Sequence, residues 1–316
     1  MTDVTVDRGS TRALTLEDLR GNARRERQER IVRLLLLVAT CTSVVVSVLI
    51  VFSLARETWT FVSQVEWAAL WTDGWFPRRG MYDVKTLLVG SLIVTVIGLA
   101  FAAPLGLGAA IYLSEYASAR VRRTLKPTLE ILAGIPSVVV GFFVLTFIAP
   151  ELIQPLRDGT PQQTMFAAGL GVGILIIPLV ASIAEDAMRS VPLALREAAF
   201  GMGAKKVTTT VRVVIPAAVS GLVAALIIAV SRALGETMVV FIAAGKSGGA
   251  LFETDPFQPG LTMTAGMASI AAGTDQVVGA GLTFQSLFFV GAVLFLFTLS
   301  LNLIGDRFVR RVRQKY

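Results

Sequence analysis

Long apolar runs separated by shorter polar segments set the pattern of this chain. A helix needs about 20 apolar residues to cross the hydrocarbon core of a bilayer, and six runs reach that length. They lie near residues 31–55, 86–113, 128–149, 164–185, 214–243 and 283–304. The pattern therefore predicts an all-α integral membrane protein with six transmembrane helices.

Basic residues are concentrated in every second segment between these runs. They are frequent in the N-terminal tail, in 114–127, in 186–213 and at the C-terminus, whereas 150–163 and 244–282 contain one each. Segment 56–85, with four cations, departs from this alternation. Because cytoplasmic loops carry the excess of Lys and Arg, we expect both termini and segment 186–213 to be cytoplasmic.

The predicted organisation has four parts. Residues 1–30 form a basic cytoplasmic tail expected to lack fixed structure, and 31–85 contain the first transmembrane helix and an outer segment. Residues 86–306 form a core of five transmembrane helices with a cytoplasmic loop at 190–213, and the basic C-terminus follows at 307–316. The first apolar run is too long for the hydrophobic region of a cleaved signal peptide, so we expect it to remain as a helix.

All tryptophans of the chain lie in the outer segment. They are Trp59, Trp67, Trp71 and Trp75. Indole rings favour the membrane–water interface, which predicts an amphipathic helix lying at the outer interface. A carbohydrate or cofactor site built from indoles is the alternative.

The composition excludes several classes of protein. Of 316 residues, 54% are hydrophobic and 16% are charged, against about a quarter charged in soluble domains. The net charge of +7 comes from basic residues beside apolar runs, which indicates contact with membrane lipid and no nucleic-acid partner. The chain has no histidine and one cysteine, Cys41, which excludes His-containing catalytic triads, His-based metal sites and an intrachain disulfide. We expect no catalytic residue, no metal site and no cofactor.

A glycine-rich stretch, Gly245–Gly249, matches the G-x-S-x-G motif of serine hydrolases, and its first residues match the end of a phosphate-binding loop. The serine-hydrolase pattern would need a histidine, which the chain lacks. The end of a phosphate-binding loop would need an upstream glycine, but position 240 is Val240. We therefore expect neither hydrolase activity nor an ATP site in this chain.

A compact motif lies in the basic segment before the fifth apolar run. Its members are acidic or small and are followed by a proline: Glu197, Ala198, Ala199, Gly203 and Pro216. A helix dipole favours a carboxylate at a helix start, two alanines leave a thin face for a partner, and glycine permits a tight turn. Proline is tolerated in the first turn of the next helix.

This motif resembles the EAA loop of the membrane-spanning subunits of bacterial ABC importers. In that family the loop forms a short helix–turn–helix that lies in a groove of the ATP-hydrolysing subunit. The resemblance implies that Glu197 to Gly203 couple the chain to an ATPase. An ordinary basic connecting loop is the alternative.

Two charged residues, Arg232 and Glu236, interrupt the fifth apolar run. Their spacing of four places them on one face of a continuous helix, and we expect Ala229, Gly235 and Ala243 to keep that face open. An arginine within a membrane costs about 2.5–3.5 kcal/mol or more, so it should face the bundle interior or a watery path. Either the pair only neutralises itself, or Arg232 lies on a substrate pathway, since guanidinium suits oxyanions.

Three further stretches make the resemblance to ABC importer subunits more specific. Arg232–Met238, Pro104–Tyr116 and Leu132–Val138 are similar to the fifth, second and third helices of PstC-type permeases of the bacterial high-affinity phosphate importer. The likeness covers roughly residues 85–310. It implies a type I ABC importer permease fold in the inner membrane, import of inorganic phosphate, and a place for the charged pair in the translocation pathway.

The resemblance also implies partners. They are a second, PstA-type permease subunit, an ATPase homodimer and an extracytoplasmic phosphate-binding protein. ATP hydrolysis then belongs to a partner subunit, and this chain is no enzyme. The alternatives are the same machine for sulfate, molybdate, tungstate or phosphonate, an ATP-independent secondary transporter or channel, and a regulatory membrane scaffold.

Overall fold

A computed structural model describes residues 23–246, 248–273 and 281–312 of the chain. Most of the predicted N-terminal tail, Ser247 of the glycine-rich stretch and the last four residues lie outside these ranges. The chain divides into two units, Met1–Ser53 and Leu54–Tyr316. The described part of the first unit belongs to helix α1 (Ala23–Gln64), which begins before the predicted span.

Within the described residues, six helices are long and apolar enough to cross a membrane, as predicted. They are Arg27–Gln64, Val84–Tyr116, Ser137–Leu156, Met165–Arg189, Lys206–Leu234 and Thr283–Arg311. This confirms the fold class and the number of spans. The cytoplasmic placement of the termini remains a prediction.

The helices of the second unit follow α1 in chain order. They are α2 (Val84–Ile111), α3 (Ala119–Ala133), α4 (Ser137–Phe143), α5 (Met165–Arg189), α6 (Leu193–Gly201), α7 (Lys206–Thr209), α8 (Ile215–Leu234), α9 (Met238–Ala243), α10 (Met263–Ala271) and α11 (Thr283–Val312). π-Helical stretches extend them at Tyr112–Tyr116, Val144–Ile153 and Thr210–Val214. Short 3-10 turns lie at Trp67–Trp71, Pro77–Arg79 and Gln154–Leu156.

The third span differs from the prediction of a single helix over 128–149. The chain forms α3, breaks at Gly134–Pro136 and starts again with α4. Proline disfavours helical geometry at the residue before it and offers no backbone donor. The membrane-spanning part is therefore Ser137–Leu156, and α3 is a separate amphipathic helix with no buried residue.

The fifth span is also displaced from its predicted range of 214–243. It begins at Lys206 and ends at Leu234. Gly235 to Thr237 interrupt the helix before the short α9. The charged pair therefore lies at a break between two helices and not within a continuous one.

Helices α2 and α5 form the most extensive contact among the described helices, and glycines make it possible. A Cβ atom on Gly98 would lie 3.1 Å from the carbonyl oxygen of Gly169, and one on Gly173 would lie 3.0 Å from the carbonyl oxygen of Gly98. Small residues of this kind let two helices approach closely within a membrane. A Cβ atom on Gly108, further along α2, would meet nothing within 4 Å.

The tryptophan-rich segment is not the predicted amphipathic helix. After α1 it forms a 3-10 turn and two strands, β1 (Gly74–Phe76) and β2 (Met81–Tyr82). A third strand, β3 (Ala250–Leu251), completes an antiparallel sheet in the order β2-β1-β3. Trp75 is buried beside Tyr82, with ring centroids 6.1 Å apart. The other three indoles are exposed, which is compatible with an interfacial location.

Helix α10 enters the bundle from the last long loop. Its first residues, from Met263 to Gly266, are buried. The backbone N–H of Met263 donates to Ser91 Oγ (2.9 Å), and Thr264 Oγ1 donates to the carbonyl of Glu236 (2.8 Å). Helix α10 therefore packs inside the bundle and holds the break in the fifth span.

Candidate functional site

The motif of the basic segment forms a helix–turn–helix. Helix α6 ends at Gly201, a turn follows over residues 202–205, and α7 continues through a π-helical stretch into α8. Gly203 has a φ of +80°, a conformation that side chains other than glycine rarely adopt. The predicted turn at this glycine is confirmed. The backbone N–H of Ala204 closes it by donating to the carbonyl of Ala199 (3.0 Å).

The other members of the motif have different environments. Glu197 lies in the middle of α6 and is exposed, so the predicted position at a helix start is wrong. The helix dipole therefore does not explain why a carboxylate occupies this position. Ala198 is exposed, whereas Ala199 is buried within the loop, so only Ala198 leaves room for a partner. Pro216 lies in the first turn of α8, as predicted.

Large apolar side chains accompany the motif on the outside of the loop. They are Leu193, Phe200, Met202 and Val207, and Met202 is 84% exposed. Adjacent exposed apolar side chains mark surfaces that bind other proteins. The motif alone did not identify these residues, although apolar residues within a basic segment are a signal that the sequence offers.

A buried carboxylate near the loop was also missed. Glu185, near the end of α5, is fully buried. Its oxygens lie 2.8 Å from Arg122 Nε and 2.7 Å from Lys126 Nζ, both on α3. Lys126 also donates to Asp186 (2.7 Å). Burial by itself lowers the pKa of Lys126, but hydrogen bonds and charges from Asp186 and Glu185 outweigh it and raise the pKa above its ordinary value. This cluster joins α3 to α5.

The second predicted site is the charged pair at the end of α8. Arg232 Nη1 lies 3.3 Å from Glu236 Oε2, so the structure brings the pair together. The two side chains differ in exposure: Arg232 is 55% exposed and Glu236 is 5% exposed. Glu236 also accepts a long bond of 3.5 Å from the N–H of Val239, at the start of α9.

The residues expected to keep the helix face beside the pair open differ in their burial. Ala229 and Ala243 are fully buried in the bundle core, so for them the prediction is wrong. Ala229 lies on the part of α8 that packs into the core, and the break after Leu234 places Ala243 on a separate helix, α9. Gly235 is exposed next to Arg232. The arrangement holds the carboxylate of Glu236 in place, and the guanidinium of Arg232 contacts this carboxylate through one nitrogen. An arginine has five N–H donors, which leaves capacity for a bidentate oxyanion.

Sequence comparison assigns the chain to a family. Residues 102–315 match the binding-protein-dependent transport system inner membrane component family. The chain belongs to this family. The permease is 32% identical over 281 residues to the phosphate transport system permease protein PstC of Mesorhizobium japonicum, covering 83% of this chain and 84% of that protein. It is 34% identical over 189 residues to the phosphate transport system permease protein PstA 1 of Mycobacterium tuberculosis, covering 57% and 59%.

Solved structures agree on the fold of the permease. A bacterial ABC transporter involved in the import of the acidic polysaccharide alginate superimposes with a TM-score of 0.62 at 16% identity, covering 92% of this chain and 100% of that one. The permease therefore has the fold of the membrane-spanning subunits of ABC importers. Its six apolar helices and its family make it a multi-pass protein of the inner membrane.

Proposed function

We propose that this permease forms half of the translocation pathway of an ATP-driven importer of inorganic phosphate. The observation that carries the proposal is the alignment with the Mesorhizobium japonicum PstC protein, which extends over most of both chains. Such coverage supports the same role in transport and not only a shared fold.

The charged pair supports an oxyanion as the substrate. Arg232 is more than half exposed and is oriented by a carboxylate that is itself buried. Guanidinium binds tetrahedral oxyanions with two parallel hydrogen bonds. In this proposal Arg232 binds phosphate on its path, and Glu236 positions Arg232 and competes with the anion for it, so that release remains possible.

The loop from residue 190 to 213 is proposed to receive the motion that ATP produces. Its exposed surface combines Glu197 and Ala198 with the apolar side chains of Phe200 and Met202. A protruding helix–turn–helix with such a surface suits a groove on an ATPase. ATP binding closes the ATPase dimer, moves the loop and changes which side of the membrane the pathway faces.

The partners follow from this scheme. One loop provides one docking site, so an ATPase homodimer requires a second permease subunit of the PstA type. An extracytoplasmic phosphate-binding protein delivers the anion, and ATP is hydrolysed by the partner, so this chain itself is no enzyme. Both termini are proposed to be cytoplasmic, on the side of the loop.

The test is the uptake of radiolabelled phosphate at micromolar concentration by cells that lack this chain. Restoration of the gene should restore uptake, and excess arsenate should compete because it has the same shape and charge. If excess sulfate, molybdate or phosphonate abolishes the restored uptake, the permease is assigned to another oxyanion. Phosphate uptake that never depends on the chain would contradict the proposal.

A further inference from the structure

A single arginine, Arg196, connects the loop to two helices of the bundle. It lies on α6, directly before Glu197 of the motif. Its guanidinium donates through Nη1 to the carbonyl of Val191 (2.6 Å) and through Nη2 to the carbonyl of Met188 (2.8 Å). Both carbonyls belong to the end of α5 and the link that follows it, where a cation is favoured by the helix dipole.

The same guanidinium reaches a second helix. Arg196 Nη2 donates to Glu115 Oε1 at 3.0 Å, in the π-helical stretch that ends α2. The two side chains are 14% and 8% exposed, so water screens this ion pair far less than a surface pair. Ser114 Oγ also donates to Glu115 Oε1 (2.9 Å) and fixes the carboxylate.

The neighbouring contacts show why this pair matters for motion. On the second arm of the loop, Lys206 Nζ lies 5.0 Å from the ring centroid of Tyr116, but both residues are exposed, and an exposed cation–π contact is weak. The buried bond between Arg196 and Glu115 is the stronger link to α2. Since α2 and α5 are packed glycine against glycine, a displacement passed to their ends moves both helices together.

We infer that Arg196 and Glu115 are positioning residues that transmit displacement of the loop to α2 and α5. The inference rests on the proposed function of the loop as the site where an ATPase docks. The charge-assisted bond keeps α6 and the end of α2 in one rigid body. Without it the ATPase can still dock on the exposed surface of the loop, but the loop moves without the bundle.

The experiment uses the complete transporter in proteoliposomes, with both permease subunits, the ATPase dimer and the phosphate-binding protein. The variants are Glu115→Gln, Arg196→Gln and the double variant, and the measured quantity is phosphate taken up per ATP hydrolysed. We expect each single variant to lower this ratio by about tenfold, as for a lost bond to a charged group, while the ATPase still co-purifies. Glu115→Gln keeps the size of the side chain and leaves the two hydrogen bonds from Arg196 to backbone carbonyls in place. This variant therefore still tests the inference if Arg196→Gln fails to assemble.

The double variant and a control separate transmission from general damage. Because both residues act through one contact, the double variant should be no worse than Arg196→Gln alone. Arg123→Gln removes an exposed cation from α3 and should leave the ratio within about twofold of the wild type. Unchanged ratios in both single variants, or losses that multiply in the double variant, would overturn the inference.

A distance measurement keeps this test independent of the substrate. Spin labels at Gly201→Cys, where a Cβ atom meets nothing within 4 Å, and at Tyr112→Cys at the end of α2, with Cys41→Ser, report whether the two move as one body when an ATP analogue binds. The distance should stay constant in the wild-type background and change in Arg196→Gln. If it does so in a transporter that takes up no phosphate, the link stands and the proposed substrate fails; a constant distance in Arg196→Gln overturns the link.

Discussion

Arg232 and Glu236 perform different tasks although they form one ion pair. Glu236 is held by α10, because Thr264 donates to its backbone carbonyl, and its carboxylate is buried. Arg232 projects from the last turn of α8 and is largely exposed. The carboxylate therefore fixes a guanidinium that is more than half exposed, which suits recognition of an anion better than neutralisation alone.

We expect Arg232→Gln to lower phosphate uptake by at least about tenfold, since a charge-assisted bond contributes about 1.5–3 kcal/mol. Arg232→Lys keeps the charge but loses the planar fork, so its uptake should be intermediate. The control is Arg310→Gln, because Arg310 forms an ion pair of the same spacing with Asp306, and both are mostly exposed. If Arg232→Gln transports as well as Arg310→Gln does, the pair only neutralises itself.

Glu185 provides a prediction about stability. We expect Glu185→Gln to lower the free energy of unfolding by roughly 1–3 kcal/mol, because Arg122 and Lys126 lose a carboxylate that is fully buried. Asp186→Asn is the matched control: Asp186 also binds Lys126 but is 64% exposed, so its loss should cost less than about 1 kcal/mol. Thermal unfolding in detergent measures both variants. Equal shifts of Tm in the two would show that burial of Glu185 contributes nothing.

Sequence reasoning found Arg232 and Glu236 but not Glu185, for a physical reason. A charge inside an apolar run is conspicuous because the membrane penalises it. Glu185 is the last residue of the predicted run 164–185, next to Asp186 and close to Arg189, and charges are ordinary at the end of a span. Only the tertiary contact with α3 turns it into a buried centre, and a single sequence does not contain that contact.

At the scale of elements, the breaks between helices matter more than the helices. The apolar runs predicted six spans but did not locate the interruptions at Gly134–Pro136 and Gly235–Thr237, since apolar residues continue on both sides of each. Proline signals the first break. The second break contains no proline, and α10 stabilises it through a residue 28 positions further along the chain.

The turn of the loop gives a prediction at the same scale. We expect Gly203→Val to disfavour the native turn by a factor of about 5–30, because a β-branched residue resists a φ of +80°. Phosphate uptake and co-purification of the ATPase should fall together. Gly203→Asn should be far milder, since Asn tolerates this conformation.

Gly201→Ala is the second control for the turn. Gly201 is helical, and a Cβ atom there would meet nothing within 4 Å. This variant should therefore transport normally. Normal transport by Gly203→Val would instead mean that the shape of the turn is not needed for docking.

At the scale of the whole molecule, much of the apolar surface is exposed when the chain is considered alone. Large apolar side chains such as Phe142, Phe147 and Leu152 are about half exposed. In a soluble protein such a surface would be a liability, whereas a spanning subunit covers it with lipid or a second permease subunit. The sequence predicted the class and the family because both depend on local patterns and motifs, whereas the outer sheet with Trp75 depends on strands brought together from distant segments.

The central claim is that this permease carries phosphate at the expense of ATP. Proteoliposomes containing both permease subunits and the ATPase dimer, with binding protein and labelled phosphate outside, test it most directly. The account predicts that phosphate accumulates only when ATP is enclosed and the chain carries Arg232. Accumulation without ATP would contradict the account and favour a secondary transporter. Hydrolysis of ATP without any phosphate uptake would show that the substrate is another one.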